Sequence, residues 1–239
     1  MSRATLHATH AAHPSAMRVI AADEFISVPA PAPLAADEIH LWLFPARKAS
    51  TAKADHARQL RRLLGAYLFI DDADLHIERD AHGKPFLGGV HAHALQFNLA
   101  HSANALIVAL ARSQALGVDI ESLRRARPWV ELARRYFTAS ECAALATLPP
   151  ERLGEAFVRL WSCKEAVLKA LGRGIAFGLE RLEFELDAAG DVVGLQAIAT
   201  EAGAAADWRL LRLAPLPDLC GALAWRGPAM RVCSFYRTA

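Results

Sequence analysis

No stretch of the sequence approaches the roughly 20 consecutive apolar residues that a membrane-spanning helix requires, so no membrane partner is expected. The N-terminal segment through Met17 is Ala- and His-rich and lacks an apolar core, so it reads as a poorly ordered tail and not as a secretory signal. Its three histidines, His7, His10 and His13, are too loosely spaced to indicate a metal. Cysteine is scarce and scattered. Cys142, Cys163, Cys220 and Cys233 form no CxxC pair and no zinc-like spacing, which points to reduced thiols in a cytoplasmic protein. Neither charge is in excess: 27 Lys and Arg against 25 Asp and Glu leave a net +2, and nothing global demands nucleic acid. What remains is abundant apolar material, 54% of 239 residues, which is a globular composition.

The order of patterns predicts an α+β fold with mostly antiparallel sheet. The first half offers a strand at 39–44, a basic helix at 54–68, and strands at 75–78, 96–99 and 105–111. The second offers a strand at 117–120, helices at 129–136, 139–145 and 151–171, then strands at 182–186, 192–197, 208–213, 220–225 and 232–236. Two similar subdomains are expected, 18–115 and 116–239, divided near the polar turn Ser113–Leu116, with a ligand cleft between them.

The most informative stretch runs from Leu160 to Gly174, LWSCKEAVLKALGRG. Helical spacing puts Phe157, Leu160, Trp161, Val167, Leu168 and Leu171 on one stripe, and Lys164 falls inside it. A lysine there must stretch to water or find an anion. Glu165 and Lys169 share a flank at i and i+4, and Gly172 and Gly174 close the helix with residues that tolerate a left-handed backbone. In Gly117-Val118-Asp119-Ile120-Glu121, strand periodicity points both carboxylates to one face, where a cation relieves their repulsion and Mg²⁺ is the suitable hard ion. Gly83-Lys84-Pro85-Phe86 presents a lysine on a rigid turn, and Phe97-Asn98-Leu99-Ala100-His101-Ser102 ends a strand in two phosphate-contacting groups. Together these form the inventory for holding a pyrophosphate with a divalent metal and transferring one phosphoryl group.

The ordered blocks GKPF, FNLAHS, GVDIE and WSCKEAVLKALGRG resemble the 4′-phosphopantetheinyl transferases of the surfactin-synthetase (Sfp-like) type. Phe137-Thr138-Ala139-Ser140-Glu141 is similar to the short F-x-x-x-E block of that family. The resemblance spans about Ile39 to Gly174. It implies two subdomains related by pseudo-twofold symmetry, each a sheet with a long helix, and a monomer. It also implies Mg²⁺ held by Asp119, Glu121 and Glu165, with coenzyme A as substrate and a serine of an apo acyl, peptidyl or aryl carrier protein as acceptor. Glu165, directly or through a water, is the implied general base. Lys169 would stabilise the leaving charge, Lys164 would contact phosphates, and Lys84, His101 and Ser102 would hold the nucleotide phosphates.

Ala100 stands where many members carry Ser. The basic residues Arg47, Lys48, Lys53, Arg58 and Arg61 are candidates for the 3′-phosphate of coenzyme A without a one-to-one match. The cluster Arg124, Arg125, Arg127, Arg134 and Arg135 is a solvated helix face or a dock for an acidic carrier. Two other functions stay open on sequence alone: a catalytically silent coenzyme A or carrier sensor, and a different metal-dependent phosphoryl-transfer or hydrolytic enzyme.

Overall fold

Strand β3 (Glu38–Pro45) buries both of its faces, and that fact organises the molecule. Ile39, Leu41 and Leu43 point one way into a core between two sheets, while Trp42 and Phe44 point the other way onto a helix. The computed structural model describes residues 17–45, 52–102, 105–124 and 127–237, with backbone only for 52–54. Residues 1–16, Arg47, Lys48, Arg125 and the Lys53 side chain, which carried expectations above, lie outside it.

The other elements of the first half are β1 (Val19–Ala21), β2 (Ile26–Ser27), α1 (Ala52–Leu68), β4 (Ile77–Arg79), β5 (Pro85–Leu87), β6 (Gln96–Ser102) and β7 (Ala105–Ala111). The second half adds β8 (Leu116–Ser122), α2 (Trp129–Tyr136), α3 (Ala139–Ala146), α4 (Pro150–Leu171), β9 (Leu182–Leu186), β10 (Val192–Ile198), β11 (Trp208–Leu216), β12 (Leu219–Arg226) and β13 (Arg231–Tyr236).

A five-stranded sheet in the order β2-β13-β3-β7-β6 faces a four-stranded sheet in the order β1-β11-β12-β8. Alternation along each strand supplies the interface: Ile107 and Ala109 from β7 meet Leu116, Val118 and Ile120 from β8 and Leu223 and Trp225 from β12. The outer faces are covered by the two long helices. Leu60, Leu63 and Leu64 of α1 pack on Trp42, Leu106 and Val108, and Leu160, Cys163 and Val167 of α4 pack on Ala222 and Ala224. The result is α+β, layered helix, sheet, sheet, helix, with β3-β7-β6 and β11-β12-β8 pairing antiparallel. Among the described residues no helix is long and apolar enough to cross a membrane.

Both chain ends depart from the expected contiguous division. β13 lies between β2 and β3, parallel to both, so the last strand belongs to the first sheet. β1 pairs in parallel with β11, so the first strand belongs to the second sheet. The terminal strands thus pair across the expected segments 18–115 and 116–239. β5 is a further difference: the Pro85 turn is followed by strand pairing with β4 (Ile77 opposite Leu87).

A buried polar network anchors β3 to α1. Trp42 Nε1 donates to the Tyr67 hydroxyl (2.9 Å), so that hydroxyl donates to His40 Nδ1 (2.6 Å). His40 Nε2–H is then left to donate to Glu38 (3.2 Å), whose carboxylate also accepts from Ala35 N–H and Arg231. Burial pushes the His40 pKa down from 6.5 to about 4, so the ring is neutral in the fold. The unfolded chain therefore binds the extra proton between those values. The stability from a neutral His40 is complete above pH 6.5 and is lost as pH falls towards 4. Urea denaturation at pH 7.5 and at pH 4.5 is expected to differ by about 2–3 kcal/mol from this residue, a difference that His40→Gln removes. An equal pH slope in the two proteins would reject the assignment.

Candidate active site

Strand β8 brings the acids of GVDIE to the helix that carries the second motif. Its even positions, Leu116, Val118 and Ile120, fill the intersheet core, so Gly117, Asp119 and Glu121 face α4. Gly117 is required at the crossing: a Cβ there would lie 2.1 Å from Ala166 O and 2.4 Å from Ala170 N. This close approach sets Asp119 beside Glu165 and Lys169. Lys169 Nζ donates to Asp119 Oδ1 (2.8 Å) and Val118 O (3.1 Å).

Two oxygens are left over. Asp119 Oδ2 and Glu165 Oε1 are buried without a hydrogen-bond partner. Burial first, and then the charge of Asp119, push the Glu165 carboxyl up to about 7, with Lys169 working in the opposite direction. Orphaned, mutually repelling carboxylate oxygens in a partly closed site are the donor set a hard divalent cation takes, so the residues present fit Mg²⁺. The fit is that of an open site. Among the described residues, the ligand atoms of Asp119, Glu121 and Glu165 do not all lie within 4.8 Å of one another. A bound cation there would draw its remaining ligands from waters and substrate oxygens.

These acids line one side of a cleft of about 570 Å³ whose other side comes from the first half of the chain. Lys84, from the β4–β5 hairpin, and His101, from β6, lie on that wall, and Gly172 and Gly174 lie at the α4 end. Gly172 caps α4 in the left-handed conformation (φ 71°), and its N–H reaches Leu168 O and Lys169 O. Lys84 faces the cleft, yet its ammonium donates to Lys169 O (2.7 Å) and Leu116 O (3.4 Å), tying the hairpin to the end of α4. An apolar slot of about 250 Å³ adjoins the cleft through Glu121 and Trp161 and is lined by Trp129, Tyr136 and Phe157.

The structure therefore brings together Asp119, Glu121, Glu165, Lys169, Lys84 and His101. Three expected ligand contacts are corrected. Lys164 is fully buried and does not reach the cleft. Its ammonium pairs with Glu141 (2.8 Å), donates to Leu179 O (2.9 Å) and Leu182 O (2.5 Å), and sits over the rings of Phe137 and Phe184. The F-x-x-x-E block thus supplies both an aromatic face and the counter-ion for this lysine, while Glu141 also caps α3 by accepting from Thr138 N–H (2.9 Å). The second correction is Arg61, which spends its guanidinium on Asp72 O and Leu75 O and so holds a loop. Ser102 is the third: it is buried, and its hydroxyl has no partner and no access to the cleft. Strand alternation explains this, since neighbouring His101 faces out.

Two site residues escaped the sequence reading. Asn98 is buried, and its Oδ1 accepts from Val118 N–H (2.9 Å), joining β6 to β8 across the cleft floor. A polar residue amid the apolar strand Phe97–Ala100 was the available signal. Trp161 was assigned only to the core stripe, although it lines both the cleft and the slot.

Comparison with known proteins agrees with this geometry. The profile of the 4′-phosphopantetheinyl transferase superfamily matches residues 115–213, the segment from β8 through most of β11. The 4′-phosphopantetheinyl transferase HetI of Nostoc sp. is 34% identical over 222 residues, 81% of this chain and 90% of that protein. Sfp of Bacillus subtilis, also a 4′-phosphopantetheinyl transferase, is 29% identical over 134 residues, 56% of this chain and 57% of that protein. The human L-aminoadipate-semialdehyde dehydrogenase-phosphopantetheinyl transferase is 30% identical over 150 residues, 59% of this chain and 48% of that protein. With nearly the whole of HetI matched and the acids of two motifs meeting across a single strand–helix crossing, this chain belongs to the Sfp-like 4′-phosphopantetheinyl transferases.

Proposed function

We propose that the protein transfers the 4′-phosphopantetheine group of coenzyme A to a serine of an apo acyl, peptidyl or aryl carrier protein, releasing 3′,5′-ADP. The observation that carries this reading is the cluster of Asp119, Glu165 and Lys169, with two buried carboxylate oxygens unsatisfied, on the wall of the cleft. The serine Oγ–P bond forms as the bond from that phosphorus to the bridging pyrophosphate oxygen breaks. The electron pair leaves on 3′,5′-ADP. The serine proton goes to Glu165, directly or through a water, the carboxylate that lines the cleft beside Asp119 and Lys169. Lys169, held by Asp119, offers its ammonium to the charge that develops on the leaving oxygen. Asp119, Glu121 and Glu165 would hold Mg²⁺, which neutralises pyrophosphate charge when bound.

The aromatic slot suits the uncharged pantetheine arm, and the Lys84–His101 wall suits the nucleotide. The exposed Arg124 and Arg127 beside the slot suit an acidic carrier. Both walls of the cleft come from one chain, which supports a monomer. The two sheet-and-helix halves are read as related by a pseudo-twofold axis. The four unpaired thiols fit the cytoplasm. Intact-mass spectrometry of a purified apo carrier, incubated with enzyme, coenzyme A and Mg²⁺, is the test. The carrier is expected to gain one phosphopantetheine group, and the gain should vanish with EDTA. No gain across fatty-acid, polyketide and peptide carriers, with coenzyme A still bound, would replace this reading with that of a sensor.

A further inference from the structure

We infer that Glu38, His40 and Cys233 form a zinc site that fastens the last strand of the chain to β3, with the Arg231 guanidinium as the cation that zinc displaces. The inference stands independently of the transferase reading. β13 runs beside β3 in a register that sets Arg231 opposite Glu38 and Cys233 opposite His40. Strand period turns all four side chains to the face of the sheet that α1 covers, where Cys233 packs beside Trp42 and Phe235. Among the described residues, this is the one group of three from His, Cys, Asp and Glu whose ligand atoms all lie within 4.8 Å of one another.

A thiol, an imidazole and a carboxylate are the donors that zinc takes, at about 2.0–2.3 Å, whereas Mg²⁺ takes oxygen alone. Glu38 and His40 are 4% and 1% exposed and Cys233 is half-buried, so an ion reaches the two inner ligands past the thiol. The groups that orient zinc ligands are already in place: the Tyr67 hydroxyl on His40 Nδ1 (2.6 Å) and Ala35 N–H on one Glu38 oxygen (2.9 Å). Zinc at His40 Nε2 replaces the proton there. That proton passes to Nδ1, which donates to the Tyr67 oxygen, and the thiol proton leaves to water. The second Glu38 oxygen accepts from Arg231, whose Nη1 also donates to the Cys233 sulfur (3.5 Å). A buried carboxylate needs a cation, and the one it has sits on a side chain that is 66% exposed and can swing into solvent. Because the ligands come from two strands 193 positions apart, the ion binds the folded chain and not the unfolded one.

Calorimetry of the full chain with zinc, in excess Mg²⁺ to occupy the cleft acids, tests this. Wild type is expected to take one zinc ion per chain, and Co²⁺ in its place should give the intense near-ultraviolet band of a thiolate ligand. Cys233→Ser, a near-isosteric change at a half-buried position, should weaken zinc binding by about 100-fold and abolish the band. Arg231→Ala should tighten it by about fivefold, the worth of an ion pair with one exposed partner. Zinc should also raise the urea midpoint of the wild type and leave that of Cys233→Ser where it is. No uptake by the wild type, uptake that survives Cys233→Ser without the thiolate band (as at the tail histidines His7, His10 and His13), or weaker binding by Arg231→Ala would each overturn the inference.

Discussion

Glu165→Gln is expected to cost about 10²–10⁴-fold in turnover and yet to make the metal-free protein more stable at pH 8. The two effects have one origin. The fold holds the Glu165 carboxyl in a buried site next to Asp119, raising its pKa from 4.5 to about 7. The native state thus binds the proton more tightly than the unfolded chain between those values. Stability contributed by this residue therefore falls as pH rises through that window and stays low above it. A neutral isostere of the same shape relieves a penalty of about 3 kcal/mol at pH 8 and relieves none at pH 4. Thermal melts with EDTA at the two pH values, set beside single-turnover transfer, check both halves. Wild-type turnover would remove Glu165 from the chemistry, and a lower melting temperature at pH 8 would remove the strain argument.

The second large effect concerns Lys164. Replacing it with Met leaves the Glu141 carboxylate buried without its cation and the Leu179 and Leu182 carbonyls without a donor, for an expected loss of about 3–5 kcal/mol. Glu141→Gln in the same protein removes the stranded charge, keeps the amide oxygen for Phe184 N–H (2.8 Å in the wild type), and should recover most of that loss. At a temperature where the single variant is folded, its KM for coenzyme A should match the wild type, since the ammonium does not reach the cleft. Urea unfolding and steady-state kinetics separate the possibilities. A stable Lys164→Met protein with a raised KM would return this lysine to the phosphates.

The Lys164 case shows where the sequence was legible and where it was not. Helical spacing placed a charge inside an apolar stripe, and the rule that such a charge needs an anion held. Which anion it finds depends on α3 folding back so that Glu141 lies beneath α4, a contact between residues 23 positions apart that no local pattern records. Asp119 and Glu121 were readable because strand period and helix period each fix a face, and the two faces meet. The long elements were readable for the same reason. β1 and β2, of three and two residues, are too short to show a period, and their pairing with β11 and β13 is set by tertiary packing. Arg61 and Ser102 carried suitable chemistry, but only the fold determines which way such groups point.

The crossed chain ends have a consequence for biosynthesis. β3, in the middle of the first sheet, receives its second neighbour only when residues 231–236 arrive, roughly two hundred residues after β3 itself is made. Until then Trp42 lacks Phe235, its ring neighbour at 4.8 Å, and one edge of β3 is an unpaired, apolar strand. On the ribosome the sheet that carries His101 on the cleft wall is thus the last part of the enzyme to become sound, although most of its strands emerge first. A polypeptide stalled or clipped before Arg231 would retain every residue of the acid cluster and still expose a sticky strand, the kind of partial product that chaperones and proteases remove.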